Sequence, residues 1–305
     1  MNILIIGASG FVANSLIRRL SKQKEMRVLA VSRNIETVFN EFKNLENLSV
    51  QKFNFVHDNP AELNFSPEVV INLSSVQPSS NKVQWQDFLE GNIDTVSSIV
   101  NYAKNEDIKK IIHFSTSSVY APSQSPINDQ TVPQPNTYYG LSKLTGENLL
   151  RISKLRNEFT SDACVLRFPS IYGDLHQAGI IHTYFSLASR NKDIELFYEG
   201  KSIRNIIFVE DVIDIVLTLL NSNSIQDFEI YNLGSKNELT TYEISKFIIE
   251  ELDSLSNLIP LKSPEISKQD VIIDVERFSR NYNYEPNLIE ESLTRYIKSK
   301  DRNPI

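Results

Sequence analysis

The 305-residue chain carries 31 basic and 38 acidic side chains, a formal net charge of −7. That excess of acid argues against general nucleic-acid binding and leaves room only for a local basic pocket. A single cysteine, Cys164, excludes an internal disulfide, and four scattered histidines offer no zinc spacing, so no metal is expected. No apolar run reaches membrane-spanning length, and no charged-then-apolar leader precedes the first predicted strand. A reduced, cytoplasmic setting with no membrane partner is expected.

Residues 2–6, Asn-Ile-Leu-Ile-Ile, form an apolar, β-branched run fit for a strand buried on both faces. Gly7 and Gly10 follow at once, and Leu16, Ile17 and Leu20 then recur at helical spacing. Strand, glycine turn and helix is the setting that a dinucleotide fingerprint requires. Gly7 permits the turn, Gly10 lets amides at the helix N-terminus approach a pyrophosphate, and Ala13 keeps the third position small. Further strands are predicted over 27–31, 48–53, 69–73, 110–114 and 163–168, and helices over 35–45, 85–104 and 137–154. Cys164, in Ala-Cys-Val-Leu, reads as buried strand filler rather than a nucleophile. This alternation predicts a doubly wound, parallel α/β sheet of the Rossmann type, which binds ligands beyond its C-terminal strand ends.

Past residue 169 the pattern is less regular. Helices are predicted over 180–190, 209–220 and 241–252 and a strand over 230–233, with Pro260, Pro264 and Pro286 punctuating the remainder. The expected division is a dinucleotide-binding domain over 1–169 and a smaller α/β, mainly substrate-binding region over 170–305, some of whose segments return to the main sheet.

Within the predicted helix over 137–154, Tyr139 and Lys143 stand at i and i+4 and share a face. A phenol with a pKa near ~10 relays protons poorly at neutral pH. An ammonium one turn away favours the phenolate and lowers that value.

The pair keeps company with Gly7-Ala-Ser-Gly10-Phe-Val, Val70-Ile-Asn-Leu-Ser-Ser75 and Phe114-Ser-Thr-Ser-Ser-Val-Tyr120. Leu166-Arg-Phe-Pro-Ser-Ile-Tyr-Gly173, Arg204-Asn-Ile-Ile-Phe-Val-Glu-Asp211 and Tyr231-Asn-Leu-Gly234 follow. In this order and spacing, over nearly its whole length, the chain resembles the extended short-chain dehydrogenase/reductase family of nucleotide-sugar epimerases, dehydratases and reductases. The resemblance implies that Thr116 hydrogen-bonds the reacting oxygen and that Tyr139 exchanges a proton with it. Lys143 would hold the nicotinamide ribose and lower the tyrosine pKa. It places the dinucleotide against Gly7, Ser9, Gly10, Phe11, Val12, Ser32, Arg33, Leu73, Ser74, Asn92, Lys143 and Phe168. A nucleotide-diphosphate sugar is expected to meet Ser117, Ser118, Ser170 and Arg204, the last on its diphosphate.

Several positions depart from the family pattern. Asn72 stands where the family has His, Ser74-Ser75 where it has Ala-Ala, and Ser170 where Asn is frequent. Asn205-Ile206 replaces Asp-Phe, and Tyr-Ala-Pro at 120–122 replaces Tyr-Gly. At the end of the second strand, Ser32-Arg33 replaces the acidic residue that selects NAD; a hydroxyl followed by a guanidinium suits a 2′-phosphate, which favours NADP(H) over NAD(H). Ser117-Ser118 occupy the positions where the family's 4,6-dehydratases carry Asp-Glu, so elimination of water lacks its carboxyl pair. Hydride and proton transfer at one sugar carbon remains. The leading expectation is a 4-keto reductase with releasable NADPH, in surface polysaccharide biosynthesis, ahead of a 4-epimerase with tightly held NAD. A non-catalytic dinucleotide-binding regulator and an RNA-associated relative are the readings from other classes.

A homodimer is also expected. Phe88, Ile93, Val96, Ile99, Val100 and Ala103 in one long predicted helix, and Leu141, Leu144, Leu149, Leu150 and Ile152 in the other, exceed a narrow core-facing stripe. Relatives often pair these two helices with their symmetry mates as a four-helix bundle.

Overall fold

The computed structural model describes residues 1–36, 40, 42, 45–78, 83–222, 225–262 and 270–302. The expected helix over 35–45 falls largely outside the described residues, as does Pro264. Two compact units form: Met1–Tyr120, Val132–Arg167 and Leu219–Tyr231 make one, and Ala121–Thr131, Phe168–Thr218 and Asn232–Ile305 the other.

In the first unit, β1 (Asn2–Ile6) buries Ile3, Leu4, Ile5 and Ile6, as an apolar run must when both faces of a sheet are covered. Helix α1 (Phe11–Leu20) follows and turns Ala13, Leu16, Ile17 and Leu20 inward. Strand β2 (Arg27–Ser32) pairs in parallel with β1, and β3 (Leu48–Lys52) with β2. The chain then crosses back, so that β4 (Val69–Asn72) pairs on the other side of β1. That reversal leaves a crevice at the C-terminal ends of β1 and β4. Ile6 lies in register with both Val31 and Asn72, so Gly7, Ser32 and Leu73 come to one edge.

The predicted helix over 85–104 is in fact three pieces: α2 (Trp85–Phe88), a π-helical turn Leu89–Asp94, and α3 (Thr95–Ala103). The cause is local. A Cβ on Gly91 would lie 2.3 Å from Val76 Cγ2, and Asn92 Oδ1 accepts from the Val76 amide at 2.7 Å. Holding the loop after β4 this closely costs the helix one regular turn, a device common beside functional sites.

Strand β5 (Lys110–Thr116) pairs in parallel with β4 and runs two residues further than predicted, to Thr116. Helix α4 (Tyr138–Leu155) begins at an N-cap, Thr137, whose Oγ1 accepts from Gly140 N at 3.0 Å. Strand β6 (Asp162–Phe168) contains Cys164, fully buried as filler. Val96, Ile99, Val100, Leu150, Ala163 and Val165 share one core with Leu4, Val31 and Val70.

The second unit is built of short ribbons: β7 (Ser170–Tyr172), α5 (Gly179–Ala188), β8 (Ile194–Leu196), β9 (Ile203–Arg204), β10 (Ile206–Phe208) and α6 (Val209–Asn221). The chain next supplies β11 (Phe228–Asn232), the seventh strand of the large sheet, whose order is β3-β2-β1-β4-β5-β6-β11. Then come β12 (Leu239–Thr240), α7 (Thr241–Glu251), β13 (Leu258–Pro260), α8 (Glu276–Tyr282) and α9 (Ile289–Arg302). Strands β7 and β10 pair in parallel, as do β8 and β13, while β9 and β12 are antiparallel. Asp211, 2% exposed, gathers Ser292 Oγ at 2.6 Å, Asn287 Nδ2 at 2.8 Å and Arg295 Nη1 at 2.5 Å, which ties α6 to α9.

The inner side of α4 is anchored by a buried ion pair. Arg167 Nη2 lies 2.6 Å from Glu147 Oε2, and Arg167 Nε is 3.1 Å from both carboxylate oxygens. Ser115 donates to Glu147, and Arg167 Nη1 donates to Tyr120 Oη at 2.6 Å. Burial works against the Arg167 charge, but the carboxylate beside it leaves the guanidinium above its ordinary value. Removing one partner strands the other charge, so Glu147→Ala is expected to cost about 3–5 kcal/mol, read by urea unfolding. Glu147→Leu combined with Arg167→Met should recover most of that loss.

Candidate active site

A cavity of about 270 Å³ opens where β1, β2 and β4 end, lined by residues that include Gly7, Ser9, Gly10, Ser32, Arg33, Leu73, Ser74, Ser75 and Glu90. Gly7 adopts φ +88°, and a Cβ there would stand 2.6 Å from Ser74 N, so the turn and the close approach both require glycine. Gly10 caps α1, and in its open Cβ direction the nearest atom is Gly7 O at 3.6 Å. The cavity thus reaches Gly10, the residue that precedes the first turn of α1. This suits an anion at a helix N-terminus, and the hydroxyl-rich wall suits a ribose; the residues present fit a dinucleotide.

Asn72, the departure from His, organises the cavity wall. Its Oδ1 accepts from Ser74 N at 3.1 Å and from Ser74 Oγ at 2.6 Å, and its Nδ2 faces His113 Nδ1 at 3.0 Å. An amide NH₂ can only donate, so His113 Nδ1 accepts and the ring proton sits on Nε2. Burial first, and the nearby Lys143 second, hold His113 well below the usual imidazole range. It is a neutral strut, not an acid.

Tyr139 sits in the first turn of α4, half-buried, with Phe88 at a ring-centroid distance of 6.4 Å. Its Oη accepts from Gln77 Nε2 at 3.1 Å, and the side chains of Ser75 and Thr116 lie beside it. Thr116 is fixed at the end of β5: its Oγ1 accepts from Ser118 N at 3.1 Å and donates to Ser118 Oγ at 3.2 Å. Gly140 allows this packing, since a Cβ there would strike Ser118 O at 2.0 Å.

The electrostatics correct one expectation. Burial raises the Tyr139 phenol above its ordinary value, and the polar side chains of Gln77, Ser75 and Thr116 beside it offset this only in part. The expected lowering by Lys143 does not outweigh burial in the free protein. The ammonium is itself buried, 2% exposed, and burial brings its pKa down to about 8 against the opposing pull of Glu147.

Other expected contacts scatter. Ser9 Oγ and Ser32 Oγ share a hydrogen bond at 2.9 Å on the cavity wall. Arg33 Nη1 is engaged by Glu90 Oε1 at 3.2 Å. Asn92 does not line the cavity; it braces the wall through Val76 and through Ser142 Oγ at 2.9 Å. Phe168 is buried at the start of the second unit, which also holds Ser170, exposed on β7, and Arg204 on β9. Arg204 Nε is buried without a hydrogen-bond partner; burial lowers its pKa, against the pull of Tyr184, Asp270 and Tyr198. Sequence reasoning missed Gln77, Ser75 as a partner of the phenol, and Glu90. The polar run that follows β4 signals the first two. Nothing local marks Glu90, whose partner is 57 residues away.

Over residues 3–234 the chain matches the NAD dependent epimerase/dehydratase family, and it belongs to that family of enzymes. A Bacillus subtilis (strain 168) protein called an uncharacterized UDP-glucose epimerase is 26% identical over 259 residues, 81% of each chain. The dTDP-4-dehydro-6-deoxyglucose reductase of Escherichia coli is 23% identical over 313 residues, 97% of this chain and 96% of that one. UDP-glucuronic acid 4-epimerase from Bacillus cereus, solved in complex with NAD, has the same fold: TM-score 0.85 at 22% identity, over 98% of this chain and 99% of that one. Among the described residues, no helix is long and apolar enough to cross a membrane.

The depressed Lys143 pKa has a thermodynamic consequence. Below pH 8 the folded protein holds a buried charge that the unfolded chain solvates freely. Between about 8 and the ordinary 10.5 the unfolded chain keeps a proton that the folded one has released, so stability rises with pH. Lys143→Met should therefore be more stable than the wild type by about 3 kcal/mol at pH 7. Urea unfolding at pH 7 and pH 10 should show that gap closing at the higher pH.

Proposed function

We propose that this protein interconverts nucleotide-diphosphate sugars at C4, with Tyr139 as the acid/base, Thr116 as the hydrogen-bond partner of the reacting oxygen, and Lys143 as the cationic support. The observation that carries the reading is the phenol itself. Tyr139 Oη, Thr116 and the cavity-lining Ser75 meet at one point, at the edge of a crevice shaped for a dinucleotide. When bound there, NAD supplies the hydride acceptor and donor. Tyr139 takes the proton from the sugar hydroxyl as the carbonyl forms and returns it when the carbonyl is reduced. Thr116 holds that oxygen in line. In the second unit, Arg204 is proposed to meet the diphosphate, with Ser170 as a further substrate contact.

Two finer choices follow from Arg33. Its guanidinium argued for NADP(H), yet it is already paired with Glu90, and Ser32 is already bonded to Ser9. We therefore take NAD as the cofactor, and 4-epimerisation with retained NAD moves ahead of ketoreduction. The full-length match to an E. coli ketosugar reductase keeps reduction as the second reading. Uridine and thymidine diphosphate sugars form the test panel. Appearance of the C4 epimer without net cofactor consumption supports epimerisation, whereas stoichiometric oxidation of NAD(P)H supports reduction. With the active substrate, Tyr139→Phe is expected to lower turnover by about a hundredfold or more while dinucleotide binding persists. An undiminished rate would sink the assignment.

The partner we propose for the surface of α4 is a second copy of the chain. Tyr138, Leu141, Ile152 and Leu155 are exposed at heptad-like spacing, whereas Phe88, Val96, Ile99, Val100 and Ala103 are committed to the monomer core. Apart from the partly buried Ile93, the apolar excess thus lies on α4. A two-fold axis needs only one such patch per subunit. Light scattering at micromolar concentration should give the dimer mass, and Leu141→Glu with Ile152→Glu should give the monomer. A wild-type monomer removes the dimer.

A further inference from the structure

We infer that Glu90 selects NAD over NADP, both by holding Arg33 in an ion pair and by setting its own carboxylate beside the end of β2. This rests on the dinucleotide reading above. The residue at the end of the second strand faces the 2′ position of the adenosine ribose, where NADP carries a phosphate. Ser32 ends β2, is 8% exposed, and has its hydroxyl bonded to Ser9. Arg33 is the one basic side chain, and Glu90 the one acidic, among the described residues lining the cavity. With Arg33 Nη1 3.2 Å from Glu90 Oε1, the cavity presents no net positive charge at this end. His57 Nε2 approaches the same carboxylate oxygen at 3.7 Å.

The carboxylate is carried on a backbone that cannot drift. Glu90 lies in the π-helical turn Leu89–Asp94; its carbonyl accepts from Thr95 Oγ1 at 3.2 Å, and the neighbouring Gly91 is pressed against Val76. A 2′-phosphate, close to doubly charged at neutral pH, would have to draw Arg33 away from Glu90 and then lie near a freed carboxylate. An uncharged ribose hydroxyl meets no such repulsion. Because both partners are partly exposed, the effect is that of a rim charge: about tenfold in affinity ratio, not a thousandfold. The acidic selector has thus moved from the strand end to a helix 57 residues away, where the strand-end rule does not look for it.

Equilibrium fluorescence titration of NADH and NADPH against the wild type, Glu90→Gln, Arg33→Ala and the double variant tests this. Wild-type protein should bind NADH more tightly than NADPH. Glu90→Gln should tighten NADPH by about tenfold and leave NADH within about twofold, and adding Arg33→Ala should erase that gain. The inference is overturned if Glu90→Gln leaves the NADPH:NADH ratio unchanged, if the gain survives in the double variant, or if the wild type already prefers NADPH. If the wild type binds neither dinucleotide, the cofactor reading fails as well, which the titration distinguishes from a mere failure of selection. Both side chains are at least partly exposed, so the variants should keep the wild-type circular dichroism spectrum.

Discussion

The backbone of Leu73 and Ser74 lies against Gly7, and the candidate site depends on that approach. The two loops leave adjacent parallel strands at the point where the sheet reverses its order, and a methyl group at position 7 would have to occupy the space of the Ser74 amide. The loop after β4 can come so close because Asn72 accepts both Ser74 donors and Asn92 grips Val76 from the other side. The same loop then delivers Ser75 and Gln77 to the Tyr139 phenol. One packing constraint thereby shapes both the crevice proposed for the dinucleotide and the surroundings of the phenol proposed as acid/base.

The charges at the site are held back. Burial keeps the phenol protonated and weakens the Lys143 ammonium, while the neutral His113 adds no charge beneath them. The Glu147 carboxylate, one turn further along α4, opposes part of the cost of burying the Lys143 ammonium. Such a site gains from a bound cation, because a positive charge beside the phenol favours its ionised form. With the role proposed above for Lys143, function and stability are expected to pull in opposite directions at position 143.

Much of this was legible in the residues. The β-branched run 2–6, the two glycines and the Tyr/Lys spacing are local signals, and each reports a local constraint: a doubly buried strand, a φ that only glycine accepts, a shared helix face. The long predicted helix over 85–104 broke because its interruption is imposed by Val76, which periodicity alone does not see. The ribbons β7 to β10 and the terminal helix α9 were missed for a similar reason. The ribbons are two- and three-residue segments fixed by tertiary pairing, and α9 was read as part of a proline-punctuated tail. The spacing of the candidate residues was readable, but their charge states were not. Spacing put an ammonium near a phenol, whereas burial, which a sequence does not display, decides the direction of both pKa shifts.

In the free protein Tyr139 is a phenol whose ionisation burial pushes upward, and a dinucleotide in the proposed crevice is expected to bring it down. A ¹³Cζ-tyrosine NMR titration, with the Tyr139→Phe protein used to assign the signal, tests it most directly. The expected result is ionisation above the ordinary phenol range in the free protein and a clear downward shift with NAD⁺ bound. The same titration curve with and without NAD⁺, or an ordinary phenol pKa in the free protein, would contradict it.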